Sequence, residues 1–362
     1  MPSSPKDIIW IQTSFLGDII VNTGGIRLIG GHFPKARQHF VTTQVGKQAL
    51  FGQPLIDSIT VFDKSAKNQA GAFKRVKSAL LEKGALGDGS VILQPHRSMR
   101  SSLLAKYLGV PVITYRESVL SFLTADVRVD RVALFHEAVR IALLAEPLGI
   151  AREDILKVKP WLSPLEGPPD SERNELLKDG MDDKSALFSF LSSPRGKIVA
   201  LAPGSVWGTK RWEAENFIIL AGKLVERDDV SVILIGSSAE RSLTDRIMNE
   251  VRPDKGRIWN MAGKTTLDDL RFIFPRLDLL VSNDSSPVHY ASAFNVPTVA
   301  VFGSTVPQMG FAPLADKSVS VGINLDCRPC SDHGPDKCPR GHFRCMKELS
   351  ADMVYDRCVE RL

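Results

Sequence analysis

The residues best suited to chemistry in this sequence stand where apolar strands give way to polar loops. One strand-like run ends at Gly204 and Ser205, and the loop after it carries Lys210 and Arg211. Glycine lets backbone approach a ligand closely, and two cations suit a diphosphate. We interpret this stretch as one wall of a pocket for a nucleotide-type ligand.

A second strand end carries the strongest signal for an anion. Residues 279–303 read as a strand, a polar turn, a short helix with Pro287 in its first turn, and a second strand. The turn and the helix contribute Asp284, Ser285, Ser286 and His289. Side-chain oxygens are expected to cap the free N–H groups, and the helix dipole favours an anion there. This predicts a phosphate seat; an ordinary capped turn is the alternative, and for His289 a structural role is favoured.

A third strand, residues 230–235, ends at Gly236 and two serines. Near the N-terminus, a β-rich run over residues 7–13 leads to Gly17 and Asp18. Asp18 has two interpretations: it caps the following helix, or it is a general base in a loop that faces a cleft.

Four cysteines lie within nineteen residues near the end of the sequence, in a stretch that we call the cysteine segment (residues 327–345). They are Cys327, Cys330, Cys338 and Cys345. Four thiols match the ligand number of a tetrahedral zinc site, but only the first two have the usual C-x2-C spacing. Free or partly redox-active thiols are favoured over a structural zinc ion. Cys358 stands apart and is expected in the core.

Composition limits the class of protein. The chain is 43% hydrophobic and 24% charged, as in soluble globular proteins, and its net charge is +5. It has neither a secretory signal pattern nor an apolar run long enough to span a membrane, so a cytoplasmic protein is expected. No nucleic-acid motif is present. Residues 64–83 are rich in lysine, which indicates solubility or attraction to an anionic substrate at a membrane face.

Strand-like and helix-like runs alternate along the sequence, which predicts an α/β fold with mostly parallel sheets. Strands are expected at residues 7–13, 38–42, 59–62, 90–93 and 112–115, and helices at 19–29, 71–83, 101–108 and 136–148. A stretch rich in Pro, Gly and charge, residues 157–183, indicates a domain boundary.

Taken together, these motifs resemble glycosyltransferase family 9, the heptosyltransferases, and specifically the heptosyltransferase II-like branch. The matching stretches are APGSVWGTKRW, ILIGSSAE, AGKTTLDDL and SNDSSPVHYASAFNVPTVAVFG, with an N-terminal strand and Gly-Asp loop. The resemblance implies the GT-B architecture, two Rossmann-like domains facing across a cleft. Residues 1–165 would bind the acceptor, 166–190 would be a linker, 191–345 would bind the nucleotide-sugar donor, and 346–362 would form a C-terminal tail.

The resemblance also implies a reaction: inverting transfer of a heptose from ADP-heptose to the inner core of lipopolysaccharide. Asp18 would be the general base, Lys210 would meet the donor phosphate, and Glu240 would bind the ribose. No metal cofactor is required in such enzymes. The acceptor is expected to be lipid-linked at the inner membrane face and phosphate-bearing, so the first domain should recognise anions, with Arg97 and Arg100 as candidates.

Two other functions are weighed against this one. A non-hydrolysing sugar-nucleotide epimerase shares the fold but needs acid and base groups on both sides of the sugar, and no such pair is evident. A catalytically inactive sugar-nucleotide-binding protein is disfavoured by the presence of both Asp18 and Lys210.

Overall fold

In the computed structural model, which describes residues 4–167, 182–251 and 257–362, the chain divides into two units, Met1–Ser163 and Pro164–Leu362. Each unit is built on its own parallel sheet. Residues 168–181 of the predicted linker lie outside the described residues. Among the helices of the described ranges, none combines the length and apolar character needed to cross a membrane.

The first unit alternates strands and helices as expected. Its strands are β1 (Asp7–Ile11), β2 (Arg37–Thr42), β3 (Ser58–Val61), β4 (Ser90–Gln94), β5 (Val112–Tyr115) and β6 (Val127–Val129). Its helices are α1 (Leu16–His32), α2 (Gln44–Leu50), α3 (Gln69–Glu82), α4 (Met99–Leu108), α5 (Ser121–Thr124), α6 (Glu137–Ala142) and α7 (Arg152–Ile155). The strand order is β3-β2-β1-β4-β5-β6, and all neighbours are parallel. This is the doubly wound order of dinucleotide-binding folds.

Burial on both faces explains the composition of the central strands. All five residues of β1 and of β4 are buried, as in parallel sheets covered by helices. Helix α1 also packs closely: a Cβ at Gly24 would lie 2.5 Å from Val158 Cγ1. This close approach accounts for glycine inside a helix, where it costs stability.

The helix expected over residues 136–148 is shorter than predicted. Regular helix ends at Ala142, and Leu143–Leu148 forms a 3-10 helix that contains Pro147. Proline has no N–H and its ring clashes with the preceding turn, so the α-helical pattern cannot run through it.

The second unit repeats the arrangement. Its strands are β7 (Lys197–Ala202), β8 (Val230–Leu234), β9 (Ile258–Asn260), β10 (Leu279–Asn283), β11 (Thr298–Val301) and β12 (Val319–Val321). Its helices are α8 (Asp182–Ser192), α9 (Ala214–Glu226), α10 (Arg241–Glu250), α11 (Leu267–Ile273), α12 (Ser286–Ala293), α13 (Arg344–Lys347) and α14 (Ala351–Val359). The order β12-β11-β10-β7-β8-β9 is again doubly wound.

The end of the chain belongs to the core of the second unit. Helix α14 packs on α9, and Trp212 donates its indole N–H to the Leu349 carbonyl at 2.8 Å. Cys358 is fully buried in this core, as predicted. The last helices therefore stabilise the sheet that carries the polar loops described below.

Candidate functional site

The strand order of the second unit selects one place for a ligand. In doubly wound sheets, ligands bind beyond the carboxyl ends of the two strands at which the order reverses, here β7 and β10. The loop after β7 carries Lys210, and Asp284 directly follows β10. Lys210 Nζ lies 2.7 Å from Asp284 Oδ2, with side chains only 13% and 6% exposed. Thr305 donates its hydroxyl to the same carboxylate oxygen at 2.6 Å.

This ion pair leaves capacity for a ligand. An ammonium group has three N–H donors, and the bond to Asp284 uses one of them. Asp284 fixes the amino group of Lys210 at the start of α12, which begins at Ser286 with Pro287 in its first turn, as predicted. A fixed ammonium beside a helix N-terminus suits a phosphate.

The predicted side-chain cap of this helix is not formed. Ser285 is the N-cap residue, but it makes no capping hydrogen bond. Its hydroxyl instead donates to the Asn283 carbonyl at 3.2 Å. The Ser285 hydroxyl is thus directed toward the Asn283 carbonyl, and this N-cap residue gives the first N–H groups of α12 no side-chain acceptor.

Asn283 joins the loops around this ion pair. Its Oδ1 accepts the backbone N–H of Trp212 at 3.1 Å, and its Nδ2 donates to the Pro203 carbonyl at 2.7 Å. The side chain is fully buried. It therefore ties the end of β10 to both ends of the loop that carries Lys210.

Glu240 lies beside Gly204, just beyond the end of β7. Its Oε2 accepts the backbone N–H of Ser237 at 2.6 Å and the hydroxyl of Ser237 at 2.9 Å. A Cβ on Gly204 would overlap Glu240 Oε1, and one on Gly236 would lie 3.0 Å from Oε2. Two glycines thus make room for this carboxylate, whose Oε1 faces the end of β7.

Not every predicted residue is aimed at a ligand. Arg211 donates to the Ser205 carbonyl at 2.7 Å and to the Val206 carbonyl at 3.2 Å, so its guanidinium stabilises the loop itself. His289 is buried, and its ring packs edge-on against Phe311 at 6.0 Å between centroids. Both arrangements favour structural roles.

In the first unit, Asp18 lies at the corresponding switch between β1 and β4. It is the third residue of α1, with Gly17 before it. Burial raises the pKa of Asp18 to about 6, and the negative charge of Glu137 adds to the rise. Hydrogen bonds from Ser14 and from the Phe15 backbone act in the opposite direction. The bond to Phe15 is a helix-capping contact, so the capping and general-base interpretations both have a structural basis.

A positive patch follows β4 in the same unit. Arg97 and Arg100 are exposed at the start of α4, and Arg100 donates to the Lys64 carbonyl at 2.5 Å. Burial, and then the charges of Lys64, Arg97 and Arg100, lower the pKa of His96 to about 4. His96 is therefore neutral at pH 7, and the cations around it form a surface suited to an anion.

The four thiols of the cysteine segment are not gathered as metal ligands would be. Cys345 is buried, the other three are partly exposed, and none is in a disulfide. Cys327 Sγ lies 3.9 Å from His342 Nε2. Across residues 4–167, 182–251 and 257–362, no three His, Cys, Asp or Glu residues form a group that could hold a metal ion. The structural zinc ion remains a prediction without geometric support.

Burial raises the pKa of the Cys330 and Cys345 thiols, with the neighbouring thiols adding to the rise. Burial acts in the same direction on Cys338, but backbone N–H groups of residues 340–343 outweigh it and lower its pKa. Among Cys330, Cys338 and Cys345, Cys338 is therefore expected to have the most reactive thiol.

Sequence reasoning missed two residues at the ion pair. Thr305 follows Asp284 by 21 residues, in a segment without any motif, and nothing local indicated their contact. Asn283 lies in the SNDSS stretch quoted above, and a polar residue at the end of a buried strand could have indicated its role in joining the loops.

Comparisons with known proteins identify the family. The sequence profile of glycosyltransferase family 9 (heptosyltransferase) matches residues 90–337. Lipooligosaccharide heptosyltransferase 2 of Campylobacter jejuni is 31% identical over 167 residues, 46% of this chain, and the chain spans about half (51%) of that relative's length. Lipopolysaccharide heptosyltransferase 2 of Escherichia coli K12 is 26% identical over 317 residues, 86% of each chain.

A solved structure matches over the whole length. The structure of E. coli ADP-heptose lps heptosyltransferase II has a TM-score of 0.75 at 20% identity and covers 98% of each chain. At this identity the likeness shows the fold, which is of the GT-B class expected from the sequence.

Proposed function

The chain belongs to glycosyltransferase family 9, and on this premise we propose that it transfers a heptose from ADP-heptose to the inner core of lipopolysaccharide. The names of the C. jejuni and E. coli relatives support this reaction class. The branch resembled is that of heptosyltransferase II, in agreement with both relatives.

In this proposal the second unit binds the donor. Lys210 and the N–H groups at the start of α12 contact the diphosphate, and Glu240 accepts hydrogen bonds from the ribose hydroxyls. The short contact between Lys210 and Asp284 and the hydrogen bond from Thr305 partly offset the cost of removing both charges from water. As ADP departs, negative charge grows on its terminal phosphate, and an ammonium already held in place stabilises that charge.

The first unit supplies the base. An acceptor hydroxyl gives its proton to Asp18, the acceptor oxygen bonds to the anomeric carbon of the heptose, and the bond from that carbon to the ADP oxygen breaks. Attack from the face opposite to ADP inverts the anomeric centre. A base with a pKa near 6 is largely ionised at pH 7 and retains useful basicity.

The acceptor is proposed to be a lipid-linked, phosphate-bearing core oligosaccharide. Arg97, Arg100 and the neighbouring Lys64 present the positive charge that its phosphates would meet. The cytoplasmic location expected from the sequence belongs to the same proposal.

The observation that carries this function is the Lys210–Asp284 pair at the start of α12, because a held ammonium at the ligand position of a doubly wound sheet supports phosphate binding there. The test combines the purified chain with ADP-heptose and a heptose-deficient lipid A–core acceptor, and detects transfer by mass spectrometry. Conversion of the donor to an epimer, without transfer, would replace this proposal with the epimerase. Donor binding without any product would favour the inactive binding protein.

Donor binding is tested separately by calorimetry with ADP. Lys210→Ala should weaken ADP binding by roughly 1–3 kcal/mol, since a charge-assisted bond is lost and Asp284 remains unpaired. Lys197→Ala is the matched control: Lys197 pairs with Asp278 at 2.8 Å, at the opposite end of β7. Equal ADP affinity in the wild type and the Lys210 variant would place the donor elsewhere.

A further inference from the structure

The cysteine segment contacts both loops that surround the Lys210–Asp284 pair. Arg328 donates to the carbonyls of Phe302 and Thr305 at 2.9 and 2.7 Å, and the Cys330 backbone N–H donates to the Ser304 carbonyl at 2.8 Å. These bonds hold the loop after β11, which supplies the Thr305 hydroxyl to Asp284. The segment therefore supports the carboxylate that fixes Lys210.

A second and more direct connection passes through Thr209, the neighbour of Lys210. Thr209 is 2% exposed. Its backbone N–H donates to the Pro335 carbonyl at 3.2 Å, and its hydroxyl bonds to the same carbonyl. Its hydroxyl oxygen also lies 2.9 Å from the hydroxyl oxygen of Ser304. A carbonyl only accepts, so the single hydroxyl hydrogen of Thr209 serves Pro335, and Ser304 donates to Thr209.

Thr209 is closely packed by the cysteine segment. A Cβ on Gly334 would lie 2.6 Å from Ser304 Oγ and 3.3 Å from Lys210 Cγ, and the φ of Gly334 is +82°. Just before Thr209, the Trp207 ring stacks on His333 with 6.3 Å between centroids. The loop that carries Lys210 thus contacts the cysteine segment at Trp207 and Thr209.

We propose that the cysteine segment is part of the donor-binding machinery, and that Thr209 is the positioning residue through which it fixes Lys210 for the donor diphosphate. This inference rests on the proposed function, because it assumes that Lys210 binds the donor. It assigns a role to a segment that is distant in sequence from the donor motifs. Thr209 itself does not touch the donor; it acts through Lys210.

The test compares Thr209→Val with Thr209→Ser, using ADP as the probe in calorimetry and the donor and acceptor KM in the transfer assay. Valine keeps the shape and loses the hydroxyl, so ADP binding should weaken about five- to tenfold, the value of one or two buried hydrogen bonds. Serine keeps the hydroxyl and should restore affinity to within about twofold. The donor KM should rise with Thr209→Val while the acceptor KM stays unchanged.

Two further variants separate positioning from general destabilisation. Thr298→Val removes a buried hydroxyl that donates to the Val296 carbonyl at 3.0 Å, at the N-terminal end of β11 and so away from the loops at the carboxyl ends of the strands, and should leave ADP binding unchanged. Gly334→Ala displaces the segment from the other side and should weaken ADP binding as Thr209→Val does. It is the second route if Thr209→Val fails to fold, as judged by circular dichroism and melting temperature.

The double variant with Lys210→Ala decides the mechanism. If Thr209 acts through Lys210, Thr209→Val should add nothing to the loss already caused by Lys210→Ala. An equal loss in both backgrounds, or ADP binding unchanged by both Thr209→Val and Gly334→Ala, would overturn the inference while the proposed function stands. If Lys210→Ala itself leaves ADP binding unchanged, the donor site of the proposed function has failed instead.

Discussion

Replacing Asp18 by asparagine should abolish transfer and stabilise the first unit at the same time. Burial raises the pKa of Asp18 from 3.8 to about 6, so the folded chain holds an ionised carboxylate in an unfavourable place. Each unit of pKa corresponds to about 1.36 kcal/mol, which gives up to about 3 kcal/mol at pH 7. Asp18 retains some exposure, so we expect about 1–3 kcal/mol of stabilisation from the neutral amide.

The effect of Asp18 on the free energy of unfolding depends on pH. The pKa of Asp18 in the folded chain lies above that in the unfolded chain, so between these values the folded chain binds more protons. The contribution of Asp18 to the free energy of unfolding therefore falls as pH rises from about 4 to about 6 and is then constant. The stabilisation by Asp18→Asn should be less than about 1 kcal/mol at pH 4 and complete at pH 7.

The assay is urea unfolding of the wild type and the variant at pH 4, 5 and 7, followed by transfer rates from pH 5 to 8. Wild-type transfer should fall about tenfold per pH unit below pH 6, and the variant should lose a hundredfold or more. Asp269→Asn is the matched control, since Asp269 is also the third residue of a helix but pairs with Lys184 at 2.7 Å. It should destabilise the second unit.

Two results would refute this reasoning. Transfer by Asp18→Asn within a few-fold of wild type would show that Asp18 is not the base. A loss of stability at pH 7 would show that its contact with Phe15, the helix cap, is its main contribution.

Three further predictions concern the remaining sites. Gly204→Ala should displace Glu240 and weaken ADP binding about tenfold, as measured by calorimetry. Gly222→Ala is the control, because a Cβ there meets nothing within 4 Å, and it should leave ADP binding unchanged. Equal ADP affinity of the two variants would contradict the role of Glu240. Joint substitution of Arg97 and Arg100 by Ala should raise the acceptor KM, more so at low salt because exposed charges are screened, and leave the donor KM nearly unchanged; equal effects on both would move the acceptor site. If the four thiols of the cysteine segment bind zinc, elemental analysis should find about one metal ion per chain and a chelator should lower the melting temperature; a metal-free chain would support free thiols.

Local patterns predicted the fold well because they record burial and chain direction. The alternation of apolar runs and helices gave both parallel sheets, and strand ends with Gly, Ser and Lys marked the switch point of the second unit. The helix over residues 136–148 was overextended because the apolar pattern continues past Ala142, although Pro147 prevents regular helix.

Long-range contacts escaped prediction for a physical reason. Ser285 looked like a cap, but in the folded turn its hydroxyl donates to the Asn283 carbonyl and makes no capping bond. Arg211 looked like a diphosphate ligand, but its own loop offers two carbonyls. Which partner a polar side chain meets depends on tertiary distances, and residue type alone does not record them.

The bond between Thr209 and Pro335 spans 126 residues and has a consequence for synthesis of the chain. During translation, Lys210 emerges from the ribosome long before the segment that encloses its loop. All six strands of the first unit come from residues that are made early, so this unit can fold before the second one is complete, as domains of larger proteins do. In the second unit, the loop that carries Lys210 cannot form its contacts with the cysteine segment until nearly the whole chain has been made. Ribosome-bound chains that stop before Pro335 should therefore carry a folded first unit and lack the contacts that hold the loop of Lys210.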